Sequence, residues 1–403
     1  MKCIVPWLWL DVESNGTVLP CCTNLEFLGD IKKQSIEEIW NGEKMKNFRI
    51  SLMGDQLPES CIACKRAEEL GSISLRKTYN KIFEDSFSDA IKNTNEDGSL
   101  KVIKFKGYHF KVSNKCNYKC RMCDGETSSA FTGEIIEHTK DSKFKDFINN
   151  NIKNFEAIGF AGGEPLIMDE HYWLLQKLID NNNTDINLQY STNMSVLNYK
   201  SHNVLDYWNK FNPEKLCVGA SIDEIGERAE YIRKGTVWSV VDKNLKTLTT
   251  QSFNRQITTV VSCYNVYRLP EIIQYLTDIE YIKPEKFLDD DHKYTHLQLW
   301  FMDMGVEESH RSVWILPKKF KDKVKNKLRS FADQYNSKYD TDIDFLFDPI
   351  IKYLNKETNK RVVQQFLWEN VYLDKSRGEN LFKTFPEFIG ILNEWKLDNL
   401  LST

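Results

Sequence analysis

Repeating βα units, with a cysteine-rich segment before them and helices after, are the architecture written into this sequence. Six apolar, strand-like runs begin near Tyr108, Ala157, Ile186, Lys215, Ile257 and His296, and helical patterns such as WLLQKLID lie between them. That alternation is the signature of an α/β domain. Half of the cysteines, Cys3, Cys21, Cys22, Cys61 and Cys64, come before these runs. From Pro317 to Thr403 the pattern is mostly helical, with aromatic anchors at Phe345, Phe366, Trp368, Phe385 and Trp395. Periodicity alone does not separate a partial barrel from a doubly wound sheet.

At the N-terminus, MKCIVPWLWLDVES is briefly apolar after Lys2, but the run is short, contains Pro6 and ends at Asp11 without a small-residue cleavage site. It does not read as a signal peptide. WLWLDVESNGTVLPCC has strand-like runs on either side of Asn15 and Gly16, a dipeptide that favours a hairpin turn. SIEEIWNGEKMKNF opens with Ser35 and Glu38 at capping-box spacing, and Ile36, Ile39 and Trp40 share one helical face. The close pair Cys61 and Cys64 follows. Two cysteine pairs brought together would also make a tetrahedral zinc site, and Cys22 is a spare that could replace Cys21. The polar stretch NTNEDGSLK, Asn93 to Lys101, reads as an exposed connection.

Within VSNKCNYKCRMC, Cys116, Cys120 and Cys123 offer an iron–sulfur cluster only three thiolates. A purely electron-carrying cubane normally has all four irons tied to protein, so the open corner points to chemistry at the metal. AIGFAGGEP then reads as a buried strand running into a turn. Gly162 and Gly163 let backbone carbonyls approach a ligand closely, and Pro165 stops the strand. Further polar tips follow apolar runs at Thr192 and Asn193, Ser221 and Asp223, and Ser262 and Asn265, with Arg233 in YIRKG. The C-terminal ends of parallel barrel strands are where such folds place ligands. Cys217 and Cys263 lie in apolar runs and read as small buried hydrophobes. His109, His171 and His296 read as structural. PKKFKDKVKNKLRSF places Phe320, Val324, Leu328 and Phe331 on one stripe, so its lysines are the solvated face of an amphipathic helix.

The three-cysteine loop and the GGEP turn together resemble the radical S-adenosylmethionine (radical SAM) superfamily. The resemblance implies a partial (β/α)6 radical SAM barrel, over residues 101–316 here, with a connection at 73–100 and a helical extension at 317–403. Cys116, Cys120 and Cys123 would hold a [4Fe-4S] cluster whose open iron binds SAM. Gly162, Gly163, Glu164 and Pro165 would hold the methionine amino end, and Met122 would lie on the adenine side, where the family usually has an aromatic residue. Ser221, Asp223 and Arg233 would contact ribose and carboxylate, with Thr192 and Asn193 further candidates at a strand tip. Residues 1–72 resemble the twitch domain, the shortened SPASM auxiliary-cluster domain, which implies an auxiliary [4Fe-4S] cluster on Cys3, Cys21, Cys61 and Cys64. The family usually carries that domain after the barrel rather than before it.

The implied activity is reductive cleavage of SAM and hydrogen abstraction by a 5′-deoxyadenosyl radical, with a reductant such as flavodoxin or ferredoxin as partner. The substrate is a small molecule, a sugar, a peptide or a protein, and no general base is assigned. A non-catalytic electron-transfer or scaffold protein with a zinc site at its N-terminus is the alternative. At 403 residues the chain suits one large barrel with appendages. Clustered cysteines in a large chain without an export signal favour metal binding in a reducing compartment. A net charge of −4 gives no global pull towards nucleic acid or anionic membrane, and no segment has the apolar length to cross a bilayer, so a cytoplasmic location is expected.

Overall fold

The computed structural model describes residues 2–54, 56–71, 73–139, 142–287, 296–301 and 309–395. Nine strands form one sheet: β1 (Trp9–Val12), β2 (Thr17–Leu19), β3 (Gly29–Asp30), β4 (Gly107–Phe110), β5 (Ala157–Phe160), β6 (Asn187–Thr192), β7 (Leu216–Ser221), β8 (Asn254–Val261) and β9 (Leu297–Phe301). Their spatial order is β9-β8-β7-β6-β5-β4-β1-β2-β3. From β4 to β9 the strands are parallel and lie in chain order, with helices in the connections. This is the partial (β/α)6 barrel, and its strands start within three residues of the positions read from the sequence.

Register separates the two faces of the sheet. Directly paired residues point the same way. Val12, Phe110, Phe160, Tyr190 and Val218 form one row of cross-strand neighbours, all buried beneath the helices. The alternate face is polar or small: Asp11, His109, Gly159 and Gln189 are one row, and Ser221, Thr258 and Gln298 another. Gln189, Ser221, Thr258, Gln298 and Trp300 are half-buried and Ser191 is exposed, so this face lines the open interior. At its base Trp9 lies over Gly107, where an added Cβ would come within 2.1 Å of the indole.

The N-terminal segment docks by joining the sheet rather than by sitting beside it. β1 pairs parallel to β4, with Asp11 opposite His109, and antiparallel to β2. The hairpin closes as expected around Asn15 and Gly16. Gly16 adopts φ +94° and donates to Glu13 O, while Glu13 N donates to Thr17 O, which makes a three-residue loop with a left-handed glycine. Ser35 and Glu38 form the capping box of the helix Ile36–Trp40, and Ile39 and Trp40 are buried.

Residues 73–100, between the cysteine-rich segment and β4, carry helices of their own. Helices Leu75–Ile82 and Phe87–Lys92 fill half of this span, and Tyr79 and Phe83 pack on Trp9. In the C-terminal extension, the helix Lys318–Tyr339 buries Phe320, Val324 and Leu328 as its stripe requires. Lys321 departs from the solvated face: it is buried, and its Nζ donates to Lys356 O and to Thr358 Oγ1. Among the described residues, no helix is long and apolar enough to cross a membrane.

Candidate functional site

Three thiols converge just beyond the C-terminal end of β4. Cys120 is buried, Cys116 half-buried and Cys123 exposed. The Cys120 thiol donates to Cys123, which holds Cys123 below the ordinary thiol value against the opposing effect of burial, and the Arg233 guanidinium adds to the lowering. The same hydrogen bond and burial push Cys120 up. A two-residue ladder, Arg233 opposite Cys120 and Lys234 opposite Lys119, fixes the middle of the loop.

The GGEP turn packs directly on this loop. Gly163 N donates to Ser113 O and Glu164 N to Lys115 O, and an added Cβ at Gly163 would lie 2.2 Å from Lys115 O. Gly162 has φ +99°, a left-handed conformation that side chains avoid. The Glu164 side chain turns inward. It accepts from Thr192 Oγ1 at 2.7 Å, Asn193 N at 2.7 Å and Leu166 N at 3.1 Å. Burial nevertheless pushes its carboxyl up to about 7 against these donors. Glu164 and the fully buried Thr192 thus brace the tips of β5 and β6 against each other.

Asp223 and Arg233 form an ion pair at 2.7 Å, with Asp223 also accepting from Val260 N at 2.8 Å. Ser221 is half-buried at the end of β7, and Met122 packs against the core. Asn265 donates to Asp223 O and Val260 O, so it braces β7 against β8. The sequence candidates around the loop therefore gather at one mouth of the barrel, and Glu164, Thr192, Asp223 and Asn265 act there as braces between strand tips. Three thiol donors beside a cation, facing a glycine turn, fit a four-iron cluster with one iron left for another ligand.

The N-terminal cysteines also come together. Cys3, Cys21, Cys61 and Cys64 line one cavity walled by Val5, Phe48, Leu52 and Tyr79. Burial pushes each of these thiols up, Cys61 to about 12, and Cys21 and Cys64 add repulsion at both Cys3 and Cys61. Four thiols in one apolar wall suit a closed metal site. Cys22 borders the same cavity but turns towards Asp11 and His109, with the three ligand atoms within 4.8 Å of one another.

Sequence reading missed the group at the β1–β4 junction. Asp11 is fully buried, accepting from Lys111 Nζ at 3.0 Å and bonded to His109 Nδ1 at 2.8 Å, and Lys111 reaches Glu13 at 2.5 Å. Burial pushes the Asp11 carboxyl up, but Lys111 and His109 outweigh it and hold it at about 2. With Asp11 and His109 98 positions apart in the chain, no local spacing could have signalled this cluster. Two sizeable cavities, about 460 and 580 Å³, contain no cysteine. The first lies beneath Leu10, Val12 and Tyr108 on the outer face of the sheet, away from this chemistry.

Comparison with known proteins matches residues 3–65 to the family model of SPASM, an iron–sulfur cluster-binding domain. An uncharacterized protein of Methanocaldococcus jannaschii is 29% identical over 197 residues, covering 44% of this chain and 62% of that protein. The fold resembles native anSMEcpe with bound AdoMet, at 18% identity and TM-score 0.40 over 59% of this chain and 63% of that one. It also resembles Streptococcus suis SuiB bound to the precursor peptide SuiA, at 13% identity and TM-score 0.41 over 83% and 70%. The chain thus spans less than two thirds of the curated relative and of the anSMEcpe structure. Likeness at these scores is too distant to carry residue roles or substrates from one protein to the other.

Proposed function

We propose that this chain, which carries a SPASM-type iron–sulfur domain ahead of a radical SAM partial barrel, is an enzyme that cleaves S-adenosylmethionine and takes a hydrogen from a substrate held in the barrel interior. The observation that carries this reading is the packing of the GGEP turn onto the three-cysteine loop at the mouth of the parallel strands. Cys116, Cys120 and Cys123 would hold a [4Fe-4S] cluster, which would supply the electron for reductive cleavage of SAM. Cys3, Cys21, Cys61 and Cys64 hold the auxiliary cluster.

The chain's own groups do the positioning. Gly162 and Gly163 bring backbone close to the SAM methionine end, and Glu164 keeps the turn in register with Asn193. Arg233, anchored by Asp223, places a fixed cation beside the thiols, which would meet the carboxylate of SAM. Ser221 offers a hydroxyl at the end of β7, and Met122 supplies apolar surface on the adenine side. The polar interior face, from Gln189 through Thr258 to Trp300, receives the substrate, a small molecule or sugar, or a peptide or protein side chain. A reductant such as flavodoxin or ferredoxin supplies the electron, and a cytoplasmic setting suits exposed Cys123.

Anaerobic reconstitution followed by reduction with SAM tests the reading. Formation of 5′-deoxyadenosine is expected. An intact, reducible central cluster that leaves SAM uncut would favour the electron-transfer alternative. Zinc alone in the N-terminal site would remove the auxiliary cluster.

A further inference from the structure

The arginine inside the cysteine loop points neither to solvent nor to the thiols. Arg121 lies between Cys120 and Cys123 and is 1% exposed. Its Nε donates to Tyr231 O at 3.2 Å and its Nη1 to Asn370 Oδ1 at 2.9 Å. Its Nη2 donates to Asp374 Oδ1 at 2.5 Å and to Glu379 Oε2 at 2.7 Å. The guanidinium stacks on Tyr231, 3.6 Å from the ring centroid. Asn370 and Asp374 belong to the helix Lys360–Arg377 of the C-terminal extension, and Glu379 to the turn after it.

This junction is built as a unit. Tyr231 Oη donates to Asp374 and Tyr264 Oη to Asn370, both at 2.8 Å. Asp374 Oδ2 also accepts from Leu381 N at 2.6 Å, tying in the following turn. Lys234 pairs with Glu379 at 3.1 Å, so two cations face two carboxylates. Removing Arg121 takes from Asp374 its ion-pair partner and leaves Glu379 with Lys234, a costly arrangement for carboxylates that are largely buried. The loop's backbone is held by the two-residue ladder, by Arg121 N donating to Ile232 O and by Ser128 Oγ donating to Tyr118 O at 2.6 Å, and Arg121 is the side chain that carries this hold on to the extension.

We propose that the C-terminal extension is part of the cluster site, with Arg121 as the positioning residue through which the helix Lys360–Arg377 sets the loop that carries Cys120 and Cys123. The link to a cluster rests on the function proposed above, whereas the link between loop and helix does not. Loop and helix then stabilise each other reciprocally, since coupling between two sites acts equally in both directions.

Amide hydrogen exchange on the full chain without cluster tests the mechanical link. In Arg121→Met, exchange is expected to rise together in residues 116–123 and 370–379, by about tenfold or more. Arg121→Lys restores part of the protection, because one ammonium meets the carboxylates but cannot also reproduce the planar fork to Asn370. Glu387→Gln breaks a second tether of the same extension, the two hydrogen bonds from Arg228 at 2.6 and 3.0 Å, and is expected to leave residues 116–123 unchanged. Asp374→Asn with Glu379→Gln reaches the junction from the helix side should Arg121→Met fail to fold.

After anaerobic reconstitution, the electron paramagnetic resonance signal that responds to SAM is expected to fall about tenfold in Arg121→Met and to recover partly in Arg121→Lys. Loosening of the loop without change at 370–379, or an unaltered SAM-responsive signal in a variant whose loop is loosened, overturns the proposal. A wild-type chain without any SAM-responsive signal overturns the functional reading instead. The exchange measurement still decides the link between loop and helix.

Discussion

At the barrel mouth, Cys123 reaches the surface, Arg233 stands beside the thiols, and backbone with no Cβ faces the loop. At the N-terminal site, four thiols meet behind Val5, Phe48, Leu52 and Tyr79, and the nearby Arg76 is spent on Glu68 and Lys2 O. Both are cysteine sets, but their surroundings assign them different work. Three thiols next to an open, cationic, glycine-lined space suit a centre that binds a further ligand. Four thiols in an apolar wall suit a centre whose coordination is already complete. The second set also lies near the seam where β1 joins β4, with Cys22 turned to Asp11 and His109 on the interior face, and Cys22 and Cys64 line a further cavity with Trp300.

The sharpest way to break this comparison is to remove thiols from each set in turn. Replacing Cys116, Cys120 or Cys123 by alanine is expected to abolish 5′-deoxyadenosine formation completely. Cys61→Ala and Cys64→Ala are expected to lose N-terminal metal yet retain some uncoupled cleavage. Chromatography of the nucleoside product, with iron counted in the same samples, checks both. Equal loss of cleavage in folded variants of both sets would falsify the division of labour.

The next largest effect concerns the braces. Glu164→Ala leaves Asn193 N–H buried without its acceptor and is expected to cost about 2–3 kcal/mol, read by chemical denaturation. The wild-type pH dependence has a definite sign. A carboxyl at about 7 in the folded protein and near 4.5 when unfolded keeps its proton longer in the native state. Its contribution is therefore full below about 4.5 and is lost as pH rises through about 7. Glu164→Gln should flatten that slope. Asp11 behaves oppositely: held at about 2, below its unfolded value near 3.8, it contributes stability above that value which is lost as pH falls through about 2. Asp11→Asn breaks a buried charge pair at the seam and is expected to cost about 3 kcal/mol, with the N-terminal site released before the barrel.

How much of this was legible in the sequence follows from the range of each interaction. Strand starts, the left-handed Gly16, the capping box at Ser35 and the stripe of the helix Lys318–Tyr339 depend on neighbours a few residues away, and local pattern reveals them. The cysteine sets were visible because thiols are rare and their spacing is chemically restrictive. Asp11 with His109, and Arg121 with Asp374, depend on register between distant segments, which composition does not encode. Glu164 shows a further limit. Its place in the GGEP motif marked it as a candidate ligand contact, but only the fold shows both carboxylate oxygens engaged by Thr192, Asn193 and Leu166. Between the cysteine-rich segment and the barrel, the polar stretch Asn93 to Lys101 was legible from its composition, whereas the packing of Tyr79 and Phe83 on Trp9 depends on contacts across the fold.

The smallest expected effect asks whether the two sites rest on separable foundations. Ser35 caps the helix Ile36–Trp40, donating no group to either cysteine set, and its Oγ accepts from Glu38 N at 3.2 Å. Ser35→Ala is expected to cost about 1 kcal/mol, and the loss falls on the N-terminal segment because Ile39 and Trp40 are buried there. With iron loaded at both sites, slow heating should then release iron from the N-terminal set at a lower temperature than in the wild type, while release from the central loop stays unchanged. If instead both shift together, the β1–β4 pairing transmits the loss across the seam, and the two centres share one cooperative unit despite their different walls.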